Sequence, residues 1–241
     1  MTPPTPTTAS ETIAARLAEV RARIQAACER AGRGPSEVTL VAVSKGHPLE
    51  ACAAAVAAGT PDLGENRVQE FAPKAQAAAA AGVEARWHFI GHLQTNKVRD
   101  ALPHISVFHA LDSTRLLEAI TRETARLGDA GAAAAHPLPC YLEVNIGGEA
   151  QKQGIAPGQV GALLAAAADC PAVRVDGLMT VAPRAGDPEQ VRPVFRALRE
   201  LAETHGLTGL SMGMTDDFEV AIEEGATLIR VGRAIFGDRS G

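Results

Sequence analysis

The sequence predicts a single (β/α)8 TIM barrel, on three observations. Eight short, mostly apolar runs alternate with segments of helical periodicity, the pattern of parallel βαβ units. The 241 residues accommodate eight such units with one extra N-terminal helix in front. No Gly-x-Gly-x-x-Gly follows the first strand, which weakens the runner-up, a doubly wound open sheet of the dinucleotide-binding kind.

Thr8 and Glu11 have capping-box spacing, so the first helix starts between Thr8 and Ser10. Ile13, Leu17, Val20 and Ile24 then recur on one face, and Gly32, Gly34 and Pro35 stop the helix. Residues 1–9 read as a disordered tail, and 10–241 as one domain. The first strand is the β-branched run from Val38 to Val43, followed by a helix from Pro48 to Ala58. The second strand, at Asp62 to Asn66, leads into a helix ending near Gly82. Arg86 to Gly91 is the third strand, with a short helix through Lys97 and Val98; Val107 to Leu111 is the fourth.

Asp112 or Ser113 caps the helix that carries Leu116, Leu117, Ile120 and Leu127. An alanine- and proline-bearing connector from Asp129 to Pro139 precedes the fifth strand, Cys140 to Ile146, and a helix over Val160 to Leu164. The sixth strand is Val173 to Val181. Asp187 and Pro188 then open a strongly amphipathic helix, with Val191, Val194, Phe195, Leu198 and Leu201 inward, whose first turns Pro193 should bend or fray. Leu207 to Met212 is the seventh strand. Asp216 and Glu219 repeat the capping-box spacing for a helix ending at Gly225, and Thr227 to Val231 is the eighth strand.

Composition excludes several classes. A net charge of −5 argues against a general binder of nucleic acid or membrane surfaces, and 3% aromatic residues are too few for a base-stacking platform. Hydrophobic residues make up 46%, ample for a core. Cys28, Cys52, Cys140 and Cys170 have neither a CxxC pair nor metal-ligand spacing, so four reduced thiols in a cytoplasmic protein are expected. The N-terminus has no basic and apolar signal-peptide regions, and no apolar segment is long enough to span a bilayer.

The chemistry starts at Lys45, where the first strand emerges. A half-desolvated amine at a core rim can be partly neutral and nucleophilic, as a Schiff base with an aldehyde or ketone requires. The chain has four lysines, Lys45, Lys74, Lys97 and Lys152, among 23 basic residues, so a strand-end lysine stands out; the plain alternative is a snorkelling side chain. The C-terminal rim of the strands offers Lys45, Asn66, His92, Asn145, Thr180, Ser211, Thr215, Arg230 and Gly232, while the strand interiors read as apolar. Gly213 and Gly232 would let backbone amides approach an anion, and the Ser211 and Thr215 hydroxyls could donate to it. Ordinary glycine turns are the alternative.

A lysine on strand one and a phosphate site at strands seven and eight adjoin in a closed barrel. An aldehyde carrying a phosphate would bridge them, and pyridoxal 5′-phosphate (PLP) is such a molecule. Arg230 facing its pyridine nitrogen would leave that nitrogen unprotonated and the ring a weak electron sink; an ion pair with Glu65 is the structural alternative. His88 and His92 read as one core residue and one rim hydrogen-bonder rather than metal ligands, and Glu143 and Asp176 as satisfied structural carboxylates.

Val43-Ser44-Lys45, Gly64-Glu65-Asn66, His88 to Gln94 with Asn96-Lys97, Gly177-Leu178-Met179, Leu210 to Met214, and Arg230-Val231-Gly232 with Ile235-Phe236-Gly237 together resemble the pyridoxal phosphate homeostasis family. The resemblance runs in order from about residue 11 to 239. It implies a monomeric barrel similar to the N-terminal domain of alanine racemase, with PLP on Lys45. It also implies phosphate contacts around Ser211, Thr215, Gly232 and Arg233, Arg230 at the pyridine nitrogen, and Asn66 near the ring. Thr215 replaces a usual serine, and Arg99 stands where a second lysine is common.

The expected function is intracellular PLP (vitamin B6) homeostasis, by buffering the cofactor or delivering it to PLP-dependent apoenzymes, with little or no catalysis. The alternative is an amino-acid racemase of the alanine racemase type. That enzyme takes its second acid/base group, a tyrosine, from a C-terminal β-domain; with the chain ending at Gly241, that domain is not expected. The single tyrosine, Tyr141, is placed at the start of strand five, away from the rim. A metal-free sugar-phosphate aldolase or isomerase also fits a barrel lysine and a phosphate site, but not the motif set.

Overall fold

The computed structural model describes residues 9–129, 136–149 and 152–238. Eight parallel strands close into a barrel in sequence order: β1 (Thr39–Val43), β2 (Asp62–Glu65), β3 (Arg86–Phe89), β4 (Val107–Leu111), β5 (Leu138–Glu143), β6 (Val173–Met179), β7 (Gly209–Met214) and β8 (Leu228–Val231). β8 pairs with β1, from Thr39↔Leu228 to Ala42↔Val231, which closes the circle and rules out the open sheet. Strand sets buried on both faces leave apolar, β-branched runs such as Leu40 to Val43, which is why these segments were legible.

The helices are α1 (Ala9–Arg30), α2 (Leu49–Ala57), α3 (Val68–Ala80), α4 (Val98–Ala101), α5 (Thr114–Asp129), α6 (Val160–Ala168), α7 (Arg192–Thr204), α8 (Phe218–Glu223) and α9 (Arg233–Phe236). The extra helix α1 packs on α2, α8 and α9, across the β8–β1 seam. Its buried face is Ile13, Leu17, Val20, Ile24, Ala27 and Cys28. Each large aliphatic residue there contributes about 1.5–3 kcal/mol of burial. Arg33, just beyond α1, donates from Nη1 to the carbonyls of Ile222 (2.9 Å) and Ala226 (3.0 Å), tying this end of the helix to the C-terminus of α8. Thr8 and the rest of the expected tail up to it lie outside the described residues; Ala9 is already helical.

Several boundaries differ from the sequence reading. β5 starts at Leu138 and stops at Glu143, because Val144 leaves the sheet to bridge Ile155. Pro193 does not bend an α-helix. A 3-10 turn, Pro188–Val191, opens the segment, with Asp187 Oδ1 accepting from the Glu189 amide (2.9 Å). The α-helix begins at Arg192, so Pro193 falls in its first turn, where no amide is missed. Asp216 and Glu219 form no capping box: they pair with Arg233 and Arg23, and Asp217 occupies the cap position of α8.

The barrel interior is also less apolar than its strands suggest. His88, His109, Ser211 and Arg230 are all buried within it, with Tyr141 packed on His109. Room for that ring comes from a glycine pair at Gly177↔Gly209: a Cβ on Gly209 would meet Tyr141 Cε1 at 2.9 Å. Among the described residues no helix is long and apolar enough to cross a membrane.

Candidate functional site

A cleft of about 530 Å³ opens at the C-terminal rim, between the ends of β1, β6, β7 and β8. It gathers five of the seven residues singled out from sequence, Lys45, Thr215, Arg230, Gly232 and Arg233, and adds His47, Met214, Asp216 and Asp217. Asn66 and Ser211 are not on its lining. Asn66 is half-buried, its backbone packed so closely on Gly91 that a Cβ there would lie 2.3 Å from the Asn66 carbonyl oxygen. Ser211 is fully buried below the cleft, its hydroxyl held by His109 (2.7 Å) and Arg230 (2.6 Å).

The backbone that carries Lys45 is clamped from three sides. Ser44 Oγ donates to Glu65 Oε1 (2.8 Å), Lys74 Nζ donates to the Ser44 carbonyl (3.1 Å), and the Gly46 amide donates to Glu70. Lys74 links the two carboxylates, at 2.6 Å from Glu65 and 2.9 Å from Glu70. Gly46 adopts φ +75°, the left-handed conformation that turns the chain after Lys45 towards α2. Burial opposes the Lys74 charge, but the Glu65 hydrogen bond and field outweigh it and hold the amine above its ordinary value. Glu65 therefore pairs with Lys74, not with Arg230 as the sequence alternative had it.

Across the cleft, the Gly232 amide donates to Thr215 Oγ1 at 3.4 Å, a long contact that leaves the Thr215 hydroxyl hydrogen for an anion and lets the amide turn to one. Arg233 Nη2 meets Asp216 Oδ1 at 2.5 Å on the exposed rim. Gly213 has φ +89° and packs on α8, where a Cβ would lie 2.6 Å from the Ala221 Cβ; its role is helix packing rather than anion contact. Two residues beyond Lys45, His47 stacks on Phe236 at 5.2 Å.

Arg230 is fixed at the floor. Nη1 donates to Ser211 Oγ and Nη2 to the Thr180 carbonyl (2.9 Å). Burial pulls its pKa down to about 10, against the fields of Asp217 and Glu143, so it remains a cation at neutral pH. Asp217 Oδ1 accepts the Met214 amide at 2.6 Å, and burial raises this carboxyl above its ordinary value.

Glu143 is not the satisfied carboxylate expected. It is buried, and its Oε2 has no hydrogen-bond partner. Burial, then the charge of Asp112, push it up to about 7, with Arg230 and His92 partly offsetting. A carboxyl raised on folding stabilises the fold below its ordinary pKa and loses that contribution as pH rises through the folded value. Glu143→Gln is therefore expected to match the wild type in denaturant unfolding at pH 5 and to exceed it by about 1–3 kcal/mol at pH 8. Asp176 does pair, with Arg174 at 2.5 and 2.8 Å.

The two histidines sort as expected: His88 is a core residue, and His92 is an exposed rim group bonded to Asp112 at 3.0 Å. Tyr141 is not the first residue of β5. It follows Leu138, Pro139 and Cys140, buried inside the barrel with its ring stacked on His109 at 5.1 Å, its hydroxyl pushed up to about 12 by burial. His109, Asp62, Lys74 and Glu70, all tied to this site by hydrogen bonds, were not singled out from sequence. The signal available for His109 was a lone polar residue in an otherwise apolar strand.

The family model for the alanine racemase N-terminal domain matches residues 15–240. A pyridoxal phosphate homeostasis protein from Aquifex aeolicus is 43% identical over 230 residues, covering 93% of this chain and 97% of that protein. PipY from Synechococcus elongatus, solved with PLP bound, superposes with a TM-score of 0.78 at 35% identity, covering 93% of this chain and all of its own. Alanine racemase from Corynebacterium glutamicum, at 16% identity and a TM-score of 0.62, shares the fold over 93% of this chain and 62% of its own.

Proposed function

This chain belongs to the pyridoxal phosphate homeostasis protein family, and on that footing we propose that it binds PLP in the rim cleft. In this reading Lys45 holds the cofactor covalently through its aldehyde, and the protein buffers or delivers PLP as a cytoplasmic monomer that meets PLP-dependent apoenzymes transiently. The observation that carries it is the convergence of Lys45, Thr215, Gly232 and Arg230 on one cleft of about 530 Å³, within the size range of small-molecule sites.

The residues present fit the group. An amine, an anion cradle and a buried cation occupy separate walls of the cleft, matching an aldehyde, a phosphate and a ring nitrogen with a free lone pair. When bound, PLP supplies an electrophilic carbon for amines and a ring that can withdraw electrons. Thr215 Oγ1 and the Gly232 amide take the phosphate, with Arg233 at the rim adding positive charge. The Ser44–Gly46 clamp fixes the direction from which Lys45 approaches. Arg230, which has donors and no acceptors, hydrogen-bonds the ring nitrogen while that nitrogen is unprotonated. Ser211 serves from beneath by holding Arg230, and Asn66 follows β2, the strand beside the one that presents Lys45.

Two features favour a carrier over a racemase. Arg230 at the ring nitrogen weakens the electron sink, and Tyr141 is enclosed against His109 rather than offered to the cleft. Incubation of the PLP-loaded protein with L-alanine is expected to yield D-alanine no faster than free PLP does, while an apoenzyme added to the loaded protein gains activity. Rapid D-alanine formation would overturn the carrier reading.

A further inference from the structure

A chain of hydrogen bonds, partly buried at Asp62 and buried beyond it, crosses the barrel beneath the cleft. Asp62 Oδ1 and His88 Nε2 lie 2.7 Å apart, His88 Nδ1 and His109 Nε2 2.8 Å, His109 Nδ1 and Ser211 Oγ 2.7 Å, and Ser211 Oγ and Arg230 Nη1 2.6 Å. It runs from the first residue of β2, at the N-terminal mouth, through β3, β4 and β7 to Arg230 on β8. Each contact holds one hydrogen, and with both rings neutral the carboxylate end fixes which way every hydrogen points. A guanidinium can only donate, so Ser211 Oγ accepts from Arg230 and is free to donate onward. A carboxylate can only accept, so His88 must donate from Nε2. Both histidines are then neutral Nε2–H tautomers, His109 accepting from Ser211 at Nδ1 and donating from Nε2 to His88 Nδ1.

The electrostatics agree. Burial opposes the Asp62 charge, yet His88 and Arg86 hold its carboxyl below the ordinary range. Burial keeps both His88 and His109 below the usual imidazole value, so neither carries the second hydrogen that would let the direction of the chain reverse. Tyr141 stacks on the His109 ring and fixes its plane.

We infer that Asp62, His88, His109 and Ser211 form a one-directional relay that positions Arg230 from the opposite end of the barrel, so that Asp62 sets the affinity of the rim cleft for its ligand. The affinity claim rests on the reading of that cleft as a PLP site; the direction of the relay does not. Asp62, His88 and His109 are positioning residues, since none of them lines the cleft.

The test is 15N NMR of the histidine side chains in the PLP-free protein, with PLP affinity measured in parallel by absorbance titration. In the wild type at pH 7 both His88 and His109 are expected as Nε2–H tautomers. Asp62→Asn keeps an acceptor oxygen for His88 and Arg86, so tautomers and affinity should stay within about twofold of wild type. Asp62→Leu removes the acceptor and leaves little room for water. Both histidines should then turn to Nδ1–H, with PLP binding weakened about fivefold, the worth of one ordinary hydrogen bond. An Nδ1–H tautomer or a cation at either histidine in the wild type would overturn the relay, whether or not the leucine variant folds. Unchanged tautomers or unchanged affinity in Asp62→Leu would overturn the coupling. A wild type with the expected tautomers that binds no PLP would defeat the proposed function and the affinity claim, and leave the relay standing.

Discussion

Replacing Lys45 by alanine is expected to abolish borohydride-stable attachment of PLP while leaving the fold intact. Lys45 is half-buried at the rim, outside the packed core, so its truncation should shift unfolding by no more than about 0.5 kcal/mol. Gly232 keeps its contact with Thr215, and Arg230 its bonds to Ser211 and Thr180. Noncovalent binding should therefore persist, weakened by at least about tenfold once the covalent anchor is gone. Absorbance titration followed by reduction and intact-mass measurement separates the two effects. A variant that still traps one equivalent of PLP would show that another amine is the anchor.

The largest effect on stability is expected from Lys74→Met. The Lys74 side chain is 9% exposed and that of Glu65 fully buried, and Glu65 Oε2 already lacks a partner. Removing the amine strands a buried carboxylate, which costs about 3–5 kcal/mol. It also frees Glu70 and the Ser44 carbonyl, loosening the strand end that presents Lys45. Burial raises the Glu65 carboxyl even with Lys74 present, and without it that shift grows. A raised carboxyl favours folding when protonated, so the deficit should shrink as pH falls from 8 to 5. Urea unfolding at both pH values tests this; a deficit that is the same or larger at pH 5 would show that Glu65 is not the group left stranded.

The sequence revealed the order of elements more readily than it revealed the inside of the barrel. Eight apolar runs and their caps were enough to place every strand within a few residues, since a strand covered on both faces must be apolar along its length. That same property hides direction. All five residues of β4 are buried, so no alternation marks His109 as inward-facing, and the register between β4 and β5 shifts within that stretch. His109 and Asp62 were invisible as a pair because they meet only through His88, in an inter-strand register that a single sequence does not specify. The rim residues show the same limit. Position at a strand end predicted Lys45, Thr215, Arg230 and Gly232 correctly as cleft-lining, yet Ser211, three residues before the end of β7, points down into the barrel. Glu65 was matched to Arg230 as a rim carboxylate and Asp216 to a helix cap by its spacing, and long side chains from α3 and α9 reach them instead.

The measurement that bears most directly on the central claim is reduction of the PLP-treated wild type with borohydride, followed by peptide mapping. A yellow protein is expected, whose label, after reduction, lies on the peptide carrying Lys45 and on no other lysine. A colourless protein, or a label on Lys74, Lys97 or Lys152 with Lys45 unmodified, would contradict that claim.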